Sequence, residues 1–328
     1  MSEFLTYKPT LFDAGCKFGV HPAFVPAIDA LNHVMIDADD AEINYLSSHY
    51  KGKENFVFLS RFLGNYSGHG EKVRLHRYKH PGGHSAFRPR KDDPYWSTLR
   101  PGSGDIVGHD DVLKESIDGV AAHFGFAPDF LKIDVEGAEV EVLEGATMSL
   151  DRSVVGVRVE VLLNSLYENC PPTFSRCDSI LRKHGFIFLY FDRFASNAFR
   201  PFSQFYGTER PFGQLVGVDA IYVKDPKLVL GSLDPTVSVS AALFAILNGA
   251  SDLSFMLLSR AAKSGVYRKH QWDGSVVFKA LERAYAKIIF ANQDVPGRTI
   301  EFYRGLWEEV FCSPFLSYGD YFRRFPLS

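Results

Sequence analysis

Three groups of residues have types and spacings that could do chemistry. Asp13-Ala-Gly15-Cys-Lys17-Phe-Gly19 begins with an acid and carries two glycines, which remove side chains where a turn must come close to a ligand. Asp37-Ala-Asp39 follows an apolar run, and an acid at the tip of such a strand can accept both hydroxyls of a ribose. Asp134-Val-Glu136 sets two carboxylates two residues apart, a spacing that turns both to one side of an extended segment. Either could take a proton from a reacting group. His21, just past the glycine loop, is a further candidate base. His109 is a weaker one, because a loop histidine is more often simply solvated. Glu160 interrupts an apolar run, as a buried partner or as a site residue. Asp134, Glu136 and Glu160 together could hold a divalent cation, but the sequence has no dedicated metal motif and no metal is expected.

The first loop also says something about the ligand. Loops that hold a pyrophosphate read G-x-G-x-x-G, with backbone N–H groups and a helix N-terminus aimed at the phosphates. Here Asp13 stands where the first glycine would be, so a nucleoside ligand without phosphate fits better. Asp13 would place negative charge beside an ammonium-bearing ligand, and S-adenosylmethionine is such a ligand. Lys17 is expected near its carboxylate, Asp37 at its ribose, and Asp13, Gly15, Gly19, Asp39 and Ser60 around it. The missing G-x-G-x-x-G argues against a nicotinamide-dependent oxidoreductase, which stays as a lesser alternative.

Alternating elements must position these residues. Strands are expected at Thr10 to Phe12, Val34 to Ile36, Phe56 to Leu59, Phe130 to Ile133, Val154 to Leu162, Phe186 to Phe191 and Val216 to Val223. Helices are expected at Ala23 to Leu31, Ala41 to His49, Val112 to Phe124, Val140 to Met148 and Phe174 to His184. Such a series implies a parallel sheet covered by helices on both faces. Lys72 to Pro101 breaks the rhythm and reads as a hairpin plus a long loop. Its lysines, arginines and histidines suggest a solvated hairpin, or a border of the acceptor site that favours an anionic acceptor.

The 328 residues suffice for one large α/β domain and a smaller addition. A net charge of −3 does not suit a general nucleic-acid binder, so no nucleic acid is expected as partner. The four cysteines are scattered without a CxxC pair, which fits a reducing cytoplasm rather than a zinc site or a disulfide framework. The N-terminus has no basic, apolar leader pattern, so no signal peptide is expected. Ala241 to Leu258 is interrupted by Asn248, Gly249 and Asp252, and reads as two buried helices rather than a membrane span.

The stretch Phe130-Leu-Lys132-Ile-Asp134-Val-Glu136-Gly137-Ala-Glu139-Val-Glu-Val-Leu143-Glu-Gly145-Ala resembles the signature of the FkbM family of methyltransferases. There, a strand reading LKIDVEG enters a helix reading AE-x-x-VL-x-GA. Asp13 to Gly19 with Pro22 and Phe24 is similar to the family's first motif, although many members have Asn where this chain has Lys17. Asp37-Ala-Asp39, Leu63-Gly64, Asp110-Asp111-Val-Leu and Asp219-Ala-Ile-Tyr-Val also fit, so the resemblance covers roughly residues 8 to 225. It implies a Rossmann-like class I methyltransferase fold, an S-adenosylmethionine cofactor, and O-methylation of a sugar, glycan or natural-product hydroxyl. A non-catalytic cofactor-binding protein of the same fold is the alternative. It rests on Lys17 and on the C-terminal addition.

The expected domains are a methyltransferase domain over 1–225 and a helical extension over 226–328. Apolar stripes at Val277, Leu281, Ala284 and Ile288, and at Ile300, Tyr303, Trp307 and Val310, must be covered by something. They are expected to bound an acceptor pocket, with the aromatic run Tyr318 to Phe325, or to pair two copies of the chain.

Overall fold

The computed structural model describes residues 7–66, 70–91, 93, 96, 102–197 and 214–264. The strands are β1 (Thr10–Ala14), β2 (Asn32–Asp37), β3 (Phe56–Ser60), β4 (Phe62–Leu63), β5 (Lys72–Tyr78), β6 (Ile106–Glu115), β7 (Phe130–Ile133), β8 (Gly156–Leu162), β9 (Phe186–Asn197) and β10 (Gln214–Lys224). Seven of them form one sheet in the order β3-β2-β1-β7-β8-β10-β9. β10 runs antiparallel to both of its neighbours, and the other pairs are parallel. The chain winds outward from β1 to β3 and then returns to β7 on the other side of β1. The crevice at the carboxyl ends of β1 and β7 is therefore the place where an open α/β sheet holds ligands.

Alternation along the strands splits the sheet into two unlike faces. Phe12, Val34, Ile36, Leu131, Ile133, Val157, Val159 and Val161 form one apolar cluster with Val120, Val140, Leu143 and Leu181. These last four come from α2 (Ile117–Phe124), α3 (Glu139–Glu144) and α5 (Phe174–Lys183), which cover that face with α4 (Thr147–Arg152). On the other face, Tyr50 at the end of α1 (Asp40–His49) stacks on Phe56 with ring centroids 4.5 Å apart, and Phe56 stacks on His33. Helices thus lie on both faces, as expected.

The differences from the sequence reading have local causes. Ala23 to Leu31 does not form an α-helix: it makes a short 3₁₀ turn over Val25–Ala27, because Pro26 lacks the N–H and the space that a longer helix needs. The helix expected from Val112 begins at Ile117, where Ser116 caps it by accepting from the Gly119 N–H at 3.0 Å. The residues before it complete β6, which pairs antiparallel with β5, so the partner of β5 lies beyond the expected hairpin stretch, Lys72 to Pro101. Val140 to Met148 is broken into α3 and α4 at Gly145. A Cβ there would lie 2.3 Å from the Gly64 carbonyl oxygen, so the backbones touch. β9 runs on past Phe191 to Asn197 as the hairpin partner of β10.

Beyond β10 follow α6 (Pro226–Gly231), α7 (Pro235–Leu247) and α8 (Ser251–Ser264). Asp234 caps α7 through the Thr236 N–H, with Pro235 in the first turn. α7 is buried on nearly every face, as its apolar composition requires. Among the described residues, 226–264 form a compact unit together with 22–30, and 9–21 with 31–225 form another. In the first unit, Phe24 is wholly buried and lies 6.3 Å from the Phe244 ring. The C-terminal helices are therefore tied to the segment that follows the glycine loop. No helix among the described residues is long and apolar enough to cross a membrane. The two later apolar stripes and the run Tyr318 to Phe325 lie outside the described residues.

Candidate active site

A cleft opens at the carboxyl edge of the sheet, lined by the loop after β1, the ends of β2 and β7, Glu160 and part of the β5–β6 hairpin. The loop after β1 makes its turn with Gly15 at φ +74° and Gly19 at φ +96°. A Cβ on Gly15 would sit 1.7 Å from the Asp134 carbonyl oxygen, so no side chain fits between loop and β7. Phe18 is also left-handed, at φ +70°, and its N–H donates to Glu42 Oε1 at 3.1 Å. Its ring is 74% exposed at the cleft.

Asp37 ends β2 and lines the cleft. Its Oδ1 accepts from the Asp39 N–H at 2.8 Å, and burial pushes its pKa up to about 6. Asp39 turns away to cap α1, accepting from the Ala41 and Glu42 N–H groups, and pairs with Lys17 Nζ at 2.7 Å. Burial opposes its charge, but the Lys17 bond outweighs that and holds its pKa low. Ser60 lies beside Asp37 in the sheet and faces a neighbouring groove rather than this cleft.

Asp13 takes a different place from the one expected. It is fully buried and does not line the cleft. Neither carboxylate oxygen accepts a hydrogen bond, and its partner is the Lys132 ammonium at 3.3 Å. Burial outweighs that partner and raises its pKa to about 6. Lys132 also donates to the Gly15 carbonyl at 2.7 Å and stands 3.4 Å from Asp134 Oδ2. One buried ammonium thus ties the glycine loop to β7.

Asp134 follows the last residue of β7, and Glu136 and Gly137 are left-handed at φ +53° and +107°. Asp134 and Glu136 share the cleft because of this tight turn, not because an extended strand alternates. Left-handed backbone at a non-glycine residue costs on the order of 1 kcal/mol and collects at functional sites. The turn is pinned by Ser85 Oγ, which donates to the Glu136 carbonyl at 2.7 Å, and by the Tyr167 hydroxyl, which donates to Glu136 Oε2. Burial, and then the charge of Asp134, push Glu136 up to about 8. Glu139, the first residue of α3, instead accepts at Oε1 from the Gly137 N–H at 2.9 Å and so braces the turn, while α3 has no side-chain cap.

Glu160 reaches the same place from β8. Carboxylate oxygens of Asp134, Glu136 and Glu160 all lie within 4.8 Å of one another, close enough for a cation. The charge of Asp134, and then burial, raise the pKa of Glu160 well above normal. Burial works against ionisation of Asp134, but Lys132 and the bond from Glu160 keep it low. The two neighbouring carboxyls are thus driven apart, Glu160 upward and Asp134 downward.

His21 does not join them. Its Nε2 lies 2.9 Å from Arg193 Nη1 and 3.7 Å from Asp219 Oδ2, outside the cleft lining. Burial, followed by Arg158, lowers its pKa to about 3. An imidazole whose lone pair accepts from a guanidinium is a poor base, which counts against the catalytic role expected for it. His109 pairs with His76 across the hairpin, Nδ1 to Nδ1 at 2.9 Å. Arg77 and Arg74 pair with Asp110 and Asp111 on the adjacent strand. The hairpin reaches the cleft through Leu75, Gly82 and His84. Tyr167 carried no sequence signal, since it lies in no motif and at no telling spacing, whereas His84 belongs to the basic, histidine-bearing segment read as solvated or as a border of the acceptor site. Lys132 carried one, as a lone charge within an apolar strand.

Residues 63–188 match the family model of the methyltransferase FkbM domain. The match includes Asp134, Glu136 and Glu160, and begins after the Gly15 loop and Asp37. Among solved structures, the methyltransferase FkbM from Methylobacillus flagellatus is similar at 13% identity and a TM-score of 0.35, over 68% of this chain and 45% of that one. The chain thus spans less than half the length of that relative. The precorrin-6y C5,15-methyltransferase from Geobacter metallireducens is similar at 9% identity and a TM-score of 0.29, over 68% of this chain and 85% of that one. No curated protein matches the sequence.

Proposed function

From the FkbM methyltransferase domain of residues 63–188, we propose that this protein moves the methyl group of S-adenosylmethionine onto a hydroxyl of a sugar, glycan or natural product. The observation that carries the reading is the cleft itself. It sets Asp37, the bare Gly15 turn and the Asp134–Glu136–Glu160 cluster together at the edge of the sheet where the strand order reverses. Gly15 holds the loop against β7 so that the loop lines the cleft, and Asp37 suits the two ribose hydroxyls. The bound cofactor would supply an already activated methyl group on sulfonium.

The protein then has two tasks. One is to hold the acceptor oxygen in line with that methyl group, where positioning alone is worth much of the rate. The other is to receive the hydroxyl proton. Asp134, held ionised by Lys132, and Glu136, anchored by Tyr167, are the groups in place for it.

Calorimetry with S-adenosylhomocysteine tests the cofactor half. Asp37→Ala should weaken binding by at least about tenfold, since charge-assisted bonds to both hydroxyls are lost. Unchanged affinity would remove Asp37 from the site. Formation of S-adenosylhomocysteine with carbohydrate acceptors tests the transfer. A protein that binds the cofactor and turns over no hydroxyl acceptor would favour the non-catalytic alternative.

A further inference from the structure

His84 follows the 3₁₀ turn Pro81–Gly83 of the hairpin and lines the cleft together with Lys17. Its Nδ1 accepts from the Tyr78 backbone N–H at 3.3 Å. A neutral imidazole has one N–H, so that bond places the proton on Nε2. Burial, and then the neighbouring Lys17 ammonium, lower its pKa and keep the ring neutral. Nε2 lies 3.7 Å from Asp39 Oδ2, the same oxygen that Lys17 Nζ meets at 2.7 Å. Asp39 is itself fixed by the two N–H groups at the start of α1.

This corner of the site gathers an ammonium, an imidazole N–H and a carboxylate within a few ångströms. The carboxylate is taken up by α1 and by Lys17 and faces the neighbouring groove, so the two donors that line the cleft are the complement of a ligand carboxylate. A ligand carboxylate would take the Lys17 ammonium and the His84 N–H, both of which are set in place by Asp39. We propose that His84 and Lys17 bind the carboxylate at the amino-acid end of S-adenosylmethionine, which makes the β5–β6 hairpin part of the cofactor site. The proposal rests on the methyltransferase reading above. It brings in a residue from an element outside the strand-to-helix loops, and it leaves the nucleoside end to Asp37.

The test compares two ligands on the full chain by calorimetry. S-adenosylhomocysteine has both the nucleoside and the amino-acid end, whereas 5′-methylthioadenosine has the same nucleoside without the amino acid. His84→Ala should weaken S-adenosylhomocysteine about tenfold, the loss of one bond to a charged group, and leave 5′-methylthioadenosine unchanged. His84→Phe, which keeps a ring in the cavity but no N–H, should do the same and serves if the alanine variant does not fold. Unchanged binding of both ligands would overturn the proposal, and so would an equal loss for both, which would place His84 at the nucleoside. Wild-type protein that binds neither ligand would overturn the methyltransferase reading and this inference with it.

Discussion

Phe12, Leu131, Ile133, Val157 and Val159 project from one face of the central sheet, while Asp13, Lys132, Arg158, Glu160 and Asp219 project from the other. The same strands supply both sets, one residue apart in register. On the first face burial alone suffices, because apolar side chains gain from leaving water in any direction. On the second, each buried charge needs a partner. Lys132 answers Asp13, and Arg158, only 2% exposed, answers Asp219 through Nε at 2.8 Å and Asp192 through Nη2 at 2.5 Å. The cleft lies at the end of this charged face. A surface already organised to hold unlike charges at fixed distances can receive a cationic ligand and handle a proton. The apolar face can do neither.

The sharpest way to break this contrast is to remove one charge from the second face. Arg158→Met should cost about 3–5 kcal/mol, since Asp219 is left buried without its counter-ion. Adding Asp219→Asn should recover much of that loss. Urea midpoints measure both, and a double variant no more stable than Arg158→Met would mean that the charges are not paired in the way described.

Leu131→Ala on the apolar face should cost about 2–5 kcal/mol through the cavity it leaves. Its effect should not change with pH and should leave the affinity of the folded protein for S-adenosylhomocysteine as it was. A pH-dependent loss would show that the two faces are coupled.

The smallest effect comes from titration. Asp13 and Asp37 are raised to about 6 and Glu139 to about 7, burial being the main cause in each. In that range the folded protein binds more protons than the unfolded chain, so stability must fall as pH rises from about 4 through about 7. The lowered aspartates, Asp39, Asp134 and Asp192, act in the opposite sense below that window; His21, His76 and His84, lowered mainly by burial, offset part of the fall below about pH 6.5, and Glu136, raised to about 8, extends it upward. Unfolding free energy should therefore drop by an amount on the order of a few kcal/mol between pH 5 and pH 8, and Asp13→Asn should reduce the drop. Stability that stays level or rises over that interval would show that the charged face is better solvated than its geometry implies.

Much of this was legible in the chain itself, because the signals are local. Strand alternation, the glycines of the first loop, the acids Asp37 and Asp39 and the Asp134-Val-Glu136 motif each depend on residues a few positions apart. They determined the alternating α/β order, the loops that bound the cleft and most of the acids in it. Prolines and caps also decide local detail, and Pro26 and Ser116 were present to be read where the first helix failed and the later one started late. What only the tertiary structure decided is which distant residues meet. Pairing of Ile133 with Val159 carries Glu160 to Asp134, and Asp13 is buried against Lys132 rather than placed in the cleft lining. Packing aims Arg193 at the lone pair of His21, and the hairpin delivers His84 to Lys17 and Asp39. Strand register and side-chain burial are properties of the whole packed sheet, so no spacing along the chain encodes them.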